Sequence, residues 1–174
     1  MRSSRRTALK QMLFISAGAA FIPSCMQDKG KASVILKNIS ISSDQEIMLA
    51  EMAETIIPKT DTPGAKDISA HLFILKMVDD CYKKEDRDQF VKGLTAFEGF
   101  SKKTAGAHFN DAEPAKREAV LATLEDRKED DELSYFYSSV KRLTIRAYTT
   151  SQFYLTNINV YQLVPGKFKG CVPV

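Results

Sequence analysis

The side chains that could carry acid–base or metal chemistry are few and widely spaced. His71 and His108 are the only two histidines of the 174-residue chain. His71 precedes the apolar run Leu72–Leu75, where a satisfied structural histidine is expected more often than a catalytic one. His108 has no Cys or His at metal-ligand spacing. Adjacent acidic residues such as Asp79 and Asp80 point to different sides of a helix, so they do not converge on one substrate.

Sequence motifs for cofactors and nucleophiles are also missing. The chain holds three cysteines but no C-x-x-C, which excludes the zinc, redox and haem motifs built on that spacing. It has no G-x-G-x-x-G after a strand and no G-x-S-x-G elbow. The sequence therefore predicts no catalytic residue, no metal site and no cofactor bound by this chain, and it favours a binding or accessory role.

The net charge of +3 has a local origin. Residues 1–25 contain Arg2, Arg5, Arg6 and Lys10 and no acidic residue. Without these four cations, the 25 basic residues of the chain fall to 21 against 22 acidic ones, a net charge of −1. We expect no nucleic-acid partner, because binding phosphates requires a basic stripe.

An export signal is predicted at the amino-terminal end. Arg5 and Arg6, with Leu9 and Lys10 behind them, resemble the twin-arginine consensus. The apolar run Met12–Ile22 that follows is too short for a stable membrane-spanning helix but long enough for the core of a signal peptide. A general secretory signal with two chance arginines is the alternative.

The three cysteines predict what happens to the exported chain. Ser24 and Cys25 end the apolar run as in a bacterial lipobox, so Cys25 is predicted to carry the lipid, with a free structural cysteine as the alternative. Cys81 and Cys171 then form the one possible intramolecular disulfide, although the sequence does not show that they come close enough to pair. We expect a protein on the periplasmic side of the cell envelope, lipid-anchored after twin-arginine export.

The rest of the chain is predicted to be all-α. It should form a single compact domain of about five helices (42–174), after a signal peptide (1–25) and a tether (26–41). Apolar residues recur with helical spacing, and the alternation typical of strands is almost absent. The predicted helices are Asp44–Ile57, Ser69–Tyr82, Asp86–Ala105, a fourth that Asn110 or Asp111 caps and that has Pro114 in its first turn, and Glu132–Thr149.

Local signals predict how several elements begin, end and pack. Ser43 and Glu46 have the spacing of a capping box, and Pro58 stops the first helix. The second helix is apolar on most sides, which predicts that it is the central and most buried one. Residues 34–41 of the tether are expected to pack on the body as an extended strap. From Ser151 onward, aromatic, Gly and Pro residues predict an ordered but irregular carboxy-terminal strap.

Several short segments together resemble the gluconate 2-dehydrogenase subunit 3 family. The most specific are the IIP…DTPGA segment and the carboxy-terminal PG-x-F-x-G-C. The similarity extends from about Ser42 to the end of the chain. The segments that carry it, besides Arg5 and Arg6 of the leader, are Glu54–Pro58, Thr62–Ala65, Tyr148–Ser151 and Pro165–Cys171.

The resemblance implies a small accessory subunit of a membrane-associated, flavin-dependent sugar or polyol dehydrogenase. The large subunit of such a complex is similar to glucose-methanol-choline oxidoreductases and carries FAD and the catalytic groups, and a cytochrome c subunit often takes the electrons onward. The small subunit is implied to carry the twin-arginine signal under which the folded large subunit is exported. This chain departs from the family in two ways. Its lipobox at Cys25 suggests that anchoring occurs through this subunit. Its segment 148–161 matches the family pattern only loosely, which leaves the identity of the partner and the substrate open.

The partner interface is expected in the two irregular segments, the Pro58–Ala65 loop and the Ser151–Cys171 strap, because such segments project from a rigid helical core. Aromatic residues of the strap could equally cover the protein's own helices. Two further functions stay open, a free-standing periplasmic lipoprotein that binds a ligand or an envelope component, and a small enzyme of unknown type. The candidate interface residues are Pro58, Pro63, Gly64, Ser151, Phe153, Tyr161, Pro165, Gly166 and Phe168.

Overall fold

A computed structural model describes residue 30 and residues 32–159. This part of the chain folds into five α-helices without a β-strand, which confirms the predicted all-α class. None of the helices in these residues combines the length and the apolar character needed to cross a bilayer. The helices are α1 Ser43–Ile56, α2 Ala70–Cys81, α3 Lys84–Ala105, α4 Pro114–Glu125 and α5 Glu132–Thr149, with a 3₁₀ turn at Phe109–Asp111 and a π-helical turn at Tyr154–Ile158.

The central helix is α5, which packs against α1, α2 and α3. The prediction that the second helix is the most buried was wrong. Only the α2 face with Ile74, Leu75 and Val78 is fully buried, whereas Phe73 and Met77 stay partly exposed at its sides. The face that α5 buries follows helical spacing. It consists of Leu133, Phe136, Tyr137, Val140, Leu143, Thr144 and Ala147.

Aromatic rings fill the space between α3 and α5. The rings of Phe90 and Phe136 meet edge to face with centroids 5.0 Å apart, and Phe97 lies 5.7 Å from Phe136. Phe109 of the 3₁₀ turn packs on Phe97 at 5.1 Å. Edge-to-face contacts of this kind add to the free energy gained from apolar burial. They fix how α3 crosses α5.

Two predicted helix caps differ from the structure. The capping box of α1 is formed by Ser42, whose Oγ accepts from Gln45 N at 3.2 Å, while Gln45 Oε1 accepts from Ser42 N at 3.1 Å. It lies one residue before the predicted Ser43, because Glu46 is engaged elsewhere and accepts from Ser33. Asn110 does not cap α4, since it lies in the 3₁₀ turn and donates to Asp44 O.

The strap of residues 32–41 is fastened to the body by a buried carboxylate. Asp79 of α2 is 0% exposed and accepts from the backbone amides of Lys37 (2.8 Å), Asn38 (2.7 Å) and Ile39 (3.0 Å). Burial alone raises the pKa of Asp79, but the three amides and the charge of Lys76 outweigh it and hold the pKa below its ordinary value.

The packing of this strap agrees with its sequence pattern in part. Ile39 and Ile41 are buried as expected, whereas Ile35 is 83% exposed. At the other end of the described chain, the prediction of irregular structure from Ser151 fails for its first residues, because helical turns continue to Ile158.

Candidate functional site

The loop between α1 and α2 rests on a small patch of buried alanines. Ala53 of α1, Ala65 of the loop, Ala70 of α2 and Ala147 of α5 pack together. Methyl side chains let the backbones of these elements approach closely. The patch therefore brings the loop next to the carboxy-terminal end of α5.

Glu54, in the last turn of α1, closes the Pro58–Ala65 loop. Its Oε1 accepts from Lys59 N at 3.0 Å and its Oε2 accepts from Lys66 N at 2.8 Å. One carboxylate thus binds an amide on each side of the loop, and hydrogen bonds to a charged acceptor are stronger than neutral ones. We call this arrangement the Glu54 clamp.

Gly64 completes the clamp because it leaves room for the carboxylate. A Cβ on Gly64 would lie 2.6 Å from Glu54 Oε2 and 2.7 Å from Lys59 N, both closer than real Cβ atoms come. The Gly64 amide donates to Asp67 Oδ2 at 3.1 Å, and Lys59 Nζ lies 3.1 Å from the same oxygen. The hydrogen bond from Lys59, together with that from Gly64, holds the pKa of Asp67 below its usual range.

A groove of about 580 Å³ opens between this loop and the end of α5. Its apolar surface comes from Pro63, Ile68 and Phe73 on one side and from Ala147 and Phe153 on the other. The groove is also lined by polar residues, which are mostly more exposed than the apolar ones. They are Asp67, Thr150, Ser151 and Gln152.

Aromatic side chains hold the far wall of the groove in place. The ring of Tyr148 packs edge to face on Phe153 at 6.4 Å and on Tyr154 at 6.1 Å. Ser151 Oγ donates to Tyr148 O at 2.7 Å and accepts from Tyr154 N at 3.2 Å. Tyr148 Oη also donates to Thr62 Oγ1 of the loop at 3.4 Å. Both walls are therefore ordered parts of the body.

An ion-pair network joins the loop to the neighbouring helices. Glu51 of α1 pairs with Lys66 and with Arg117 of α4. Arg117 also donates to the carbonyls of Phe109 (3.0 Å) and Asn110 (2.7 Å). The guanidinium thereby gives Asn110 O a donor and gives Phe109 O a second donor besides Ala112 N.

His71 occupies a structural position on α2. Its Nε2 lies 3.9 Å from Glu46 Oε1, and its buried Nδ1 has no hydrogen-bond partner among the described residues, so the side chain is less satisfied than predicted. Burial, the largest cause, lowers the pKa of His71, Lys66 adds to this, and Glu46 opposes it. His108 is exposed. Within the described residues, no cluster of three or more His, Cys, Asp or Glu could hold a metal ion.

The structure brings three of the predicted interface residues together. Pro63, Ser151 and Phe153 line the groove. Gly64 is buried beneath the loop against Glu54, and Pro58 is exposed beside it.

The other predicted site residues are only partly covered by the structure. Cys81 is exposed at the end of α2. Its predicted partner for a disulfide, Cys171, lies outside the described residues. So do the export residues Arg5 and Arg6, the lipidation site Cys25 and the remaining interface candidates, which are Tyr161, Pro165, Gly166 and Phe168.

The sequence prediction missed the residues that give the loop its shape. Glu54 and Asp67 were not singled out, and neither were Phe73 and Ala147 on the two walls of the groove. A glycine ten residues after a carboxylate at a helix end could have suggested the Glu54 clamp. The walls of the groove depend on contacts between distant segments, for which a single sequence carries no signal.

Comparisons with known proteins give one result. The family model described as Gluconate 2-dehydrogenase subunit 3 matches residues 43–166. Neither a curated protein nor a solved structure matches the chain. The matched region begins with α1 and includes the Glu54 clamp and both walls of the groove.

Proposed function

The chain belongs to the gluconate 2-dehydrogenase subunit 3 family, and on this premise we propose that it is the non-catalytic small subunit of a membrane-associated, FAD-dependent sugar or polyol dehydrogenase. In this role it exports, matures and anchors the large subunit, which carries FAD and performs the chemistry. A cytochrome c subunit would accept the electrons. The observation that carries the proposal is the family match across residues 43–166.

The proposed route to the envelope uses the leader. Arg5 and Arg6 would direct twin-arginine export of the folded complex, and Cys25 would receive the lipid that holds it on the periplasmic side. One acyl chain binds a membrane only marginally, whereas two or more anchor it stably. A diacylglycerol on Cys25 would therefore be sufficient as an anchor.

The large subunit is proposed to dock at the end of the body that carries the Pro58–Ala65 loop and the groove. This end combines a loop closed by hydrogen bonds with an ordered groove lined by apolar residues and by mostly more exposed polar ones. An apolar centre with a polar rim is the usual anatomy of a protein interface. A preformed surface also loses little conformational entropy on binding.

Co-purification from detergent-solubilised membranes tests the proposal directly. The tagged full-length chain should retain a large yellow flavoprotein with dehydrogenase activity, and neither should be lost on gentle washing. A chain that purifies alone under these conditions contradicts the proposed complex and favours the free-standing lipoprotein.

The export role has its own test, the double substitution Arg5→Lys and Arg6→Lys. Since the twin-arginine receptor reads paired guanidinium groups, we expect the dehydrogenase activity to stay in the cytoplasm. Cell fractionation measures this. Lys102→Arg, on the exposed face of α3, is the matched control and should leave export unchanged. Activity that still reaches the envelope in the double variant contradicts the escort role.

A further inference from the structure

Few backbone hydrogen bonds within the Pro58–Ala65 loop hold it in one conformation. It follows the end of α1, contains Pro58, Pro63 and Gly64, and leaves the Pro58–Asp61 side exposed. Within the loop, Thr60 N donates to Thr62 O at 3.0 Å. Ala65 N donates to Ile57 O at 2.9 Å, which joins its two ends.

Glu54 is the side chain that binds backbone amides near both ends of this loop. The Lys59 amide lies at the start of the loop and the Lys66 amide directly follows its end, and the one carboxylate that accepts from both comes from α1. Gly64 packs directly on that carboxylate. Removing the carboxylate leaves both amides without this acceptor, and the bond from Ala65 N to Ile57 O is then the remaining backbone link between the loop and the end of α1.

We propose that Glu54 is a positioning residue, which presets the Pro58–Ala65 loop for docking of the large subunit, with Gly64 as its necessary counterpart. The inference rests on the function proposed above. A loop that is already held in its bound conformation loses little conformational entropy when the partner binds. Partner affinity should therefore depend on two residues that need not contact the partner.

The experiment compares Glu54→Gln and Gly64→Ala in the full-length, detergent-solubilised chain. Gln keeps the size of the side chain but replaces one acceptor oxygen by an NH₂ group that faces an amide donor. Ala adds a Cβ where the carboxylate and Lys59 N lie. Glu118→Gln is the matched control, because Glu118 is exposed on α4 and its side chain has no hydrogen bond or ion pair among the described residues.

Two readouts separate positioning from folding. Amide hydrogen exchange should speed up at least about tenfold at both Lys59 and Lys66 in Gly64→Ala, and in Glu54→Gln at whichever of the two amides faces the NH₂ group, as expected for the loss of a charge-assisted hydrogen bond. In a titration with the flavoprotein that co-purifies with the wild-type chain, the concentration for half-maximal assembly should rise by about tenfold or more. Maximal activity at saturation and helical content should stay as in wild type.

The double variant Glu54→Gln with Gly64→Ala adds a further test. Since both single changes release the same clamp, the double change should weaken assembly little more than either one. Additive losses would mean that the residues act independently, and this would overturn the inference.

The remaining outcomes are also decisive. Unchanged exchange at Lys59 and Lys66 would show that Glu54 does not hold the loop. Faster exchange with unchanged assembly would overturn the positioning role and leave the proposed function standing. A wild-type chain that retains no flavoprotein overturns the proposed function and with it the docking role, whereas the exchange data would still report whether the clamp exists.

Discussion

A single buried carboxylate, that of Asp79, joins two distant segments of this protein. Asp79 binds three consecutive backbone amides that come from about forty residues earlier in the chain. Its neighbour Asp80 is exposed and lies 3.9 Å from Lys76. Adjacent residues on one helix thus have very different environments, and this makes them a matched pair for mutation.

Asp79→Ala should lower the free energy of unfolding by about 3 kcal/mol, because it leaves three amides of the strap without their acceptor in a buried site. Urea denaturation of the full-length protein measures this. Asp80→Ala is the control, and we expect a change within about 0.5 kcal/mol. Equal losses in the two variants would contradict the structural role of Asp79.

The same residue predicts a pH dependence. The pKa of Asp79 lies below its ordinary value of 3.8 in the folded protein. Its stabilising contribution is therefore complete above that unfolded value and is lost as the pH falls through the lower, folded value. In acid titrations, wild type should lose stability relative to Asp79→Ala as the pH drops below about 4. A difference between the two proteins that is independent of pH would argue against this assignment.

Residue types and spacing predict only part of these contacts. Asp79 and Asp80 point to different sides of the helix, as their adjacency predicts. The hydrogen bonds that Asp79 and Glu54 accept from backbone amides were not predicted, because the tertiary fold determines which donors lie nearby. The types and spacing of residues indicate what a side chain can bind, and only the fold supplies the partner.

At the level of elements, the close crossing of α3 and α5 depends on Gly93. A Cβ on Gly93 would lie 2.5 Å from Phe136 Cβ and would also collide with the backbone of Glu132. Gly99, on the same helix, has open space where its Cβ would be. One helix therefore carries two glycines that should respond to alanine in opposite directions.

Gly93→Ala should destabilise the protein by about 2–3 kcal/mol, because α3 must move away from α5 and its aromatic contacts. Gly99→Ala should instead stabilise it by about 0.5–1 kcal/mol through helix propensity. Thermal and urea unfolding of both variants measure these changes. A Gly93→Ala variant as stable as wild type would show that the helices do not approach this closely.

Helix positions were the part of the fold that the sequence predicted best. The fifth predicted helix, Glu132–Thr149, has the bounds of α5, because a long amphipathic stripe is a strong signal. The prediction of which helix is the most buried was wrong, since an apolar run such as that of α2 does not show how many neighbouring helices cover it. The helical turns at 152–158 were missed because aromatic and polar residues there lack a regular period.

At the scale of the described body, Gly30 and the proposed docking loop lie at opposite ends of α1. Gly30 O accepts from Ser43 N at the first residue of α1, whereas the Pro58–Ala65 loop follows its last residue. A helix of 14 residues separates these points by about 20 Å. The amino-terminal side of the body and the groove are therefore independent surfaces.

This separation predicts that anchoring and docking can be removed one at a time. Phe153→Asp, in the wall of the groove, should cost at least about tenfold in assembly with the large subunit while the chain stays in the membrane fraction, because a buried charge is costly at an interface. Cys25→Ser should release the chain from membranes and leave assembly intact. Fractionation and co-purification measure both, and a variant that loses both properties together would contradict the separation.

The fastening of residues 32–41 also has a mechanical consequence. Tension on the chain ahead of Gly30 enters the body where Glu46 holds Ser33 and Asp79 holds the amides of residues 37–39. The load is thereby divided between α1, through Glu46, and α2, through Asp79, and it is shared among several hydrogen bonds. The Pro58–Ala65 loop follows the other end of α1, away from the point where this load enters.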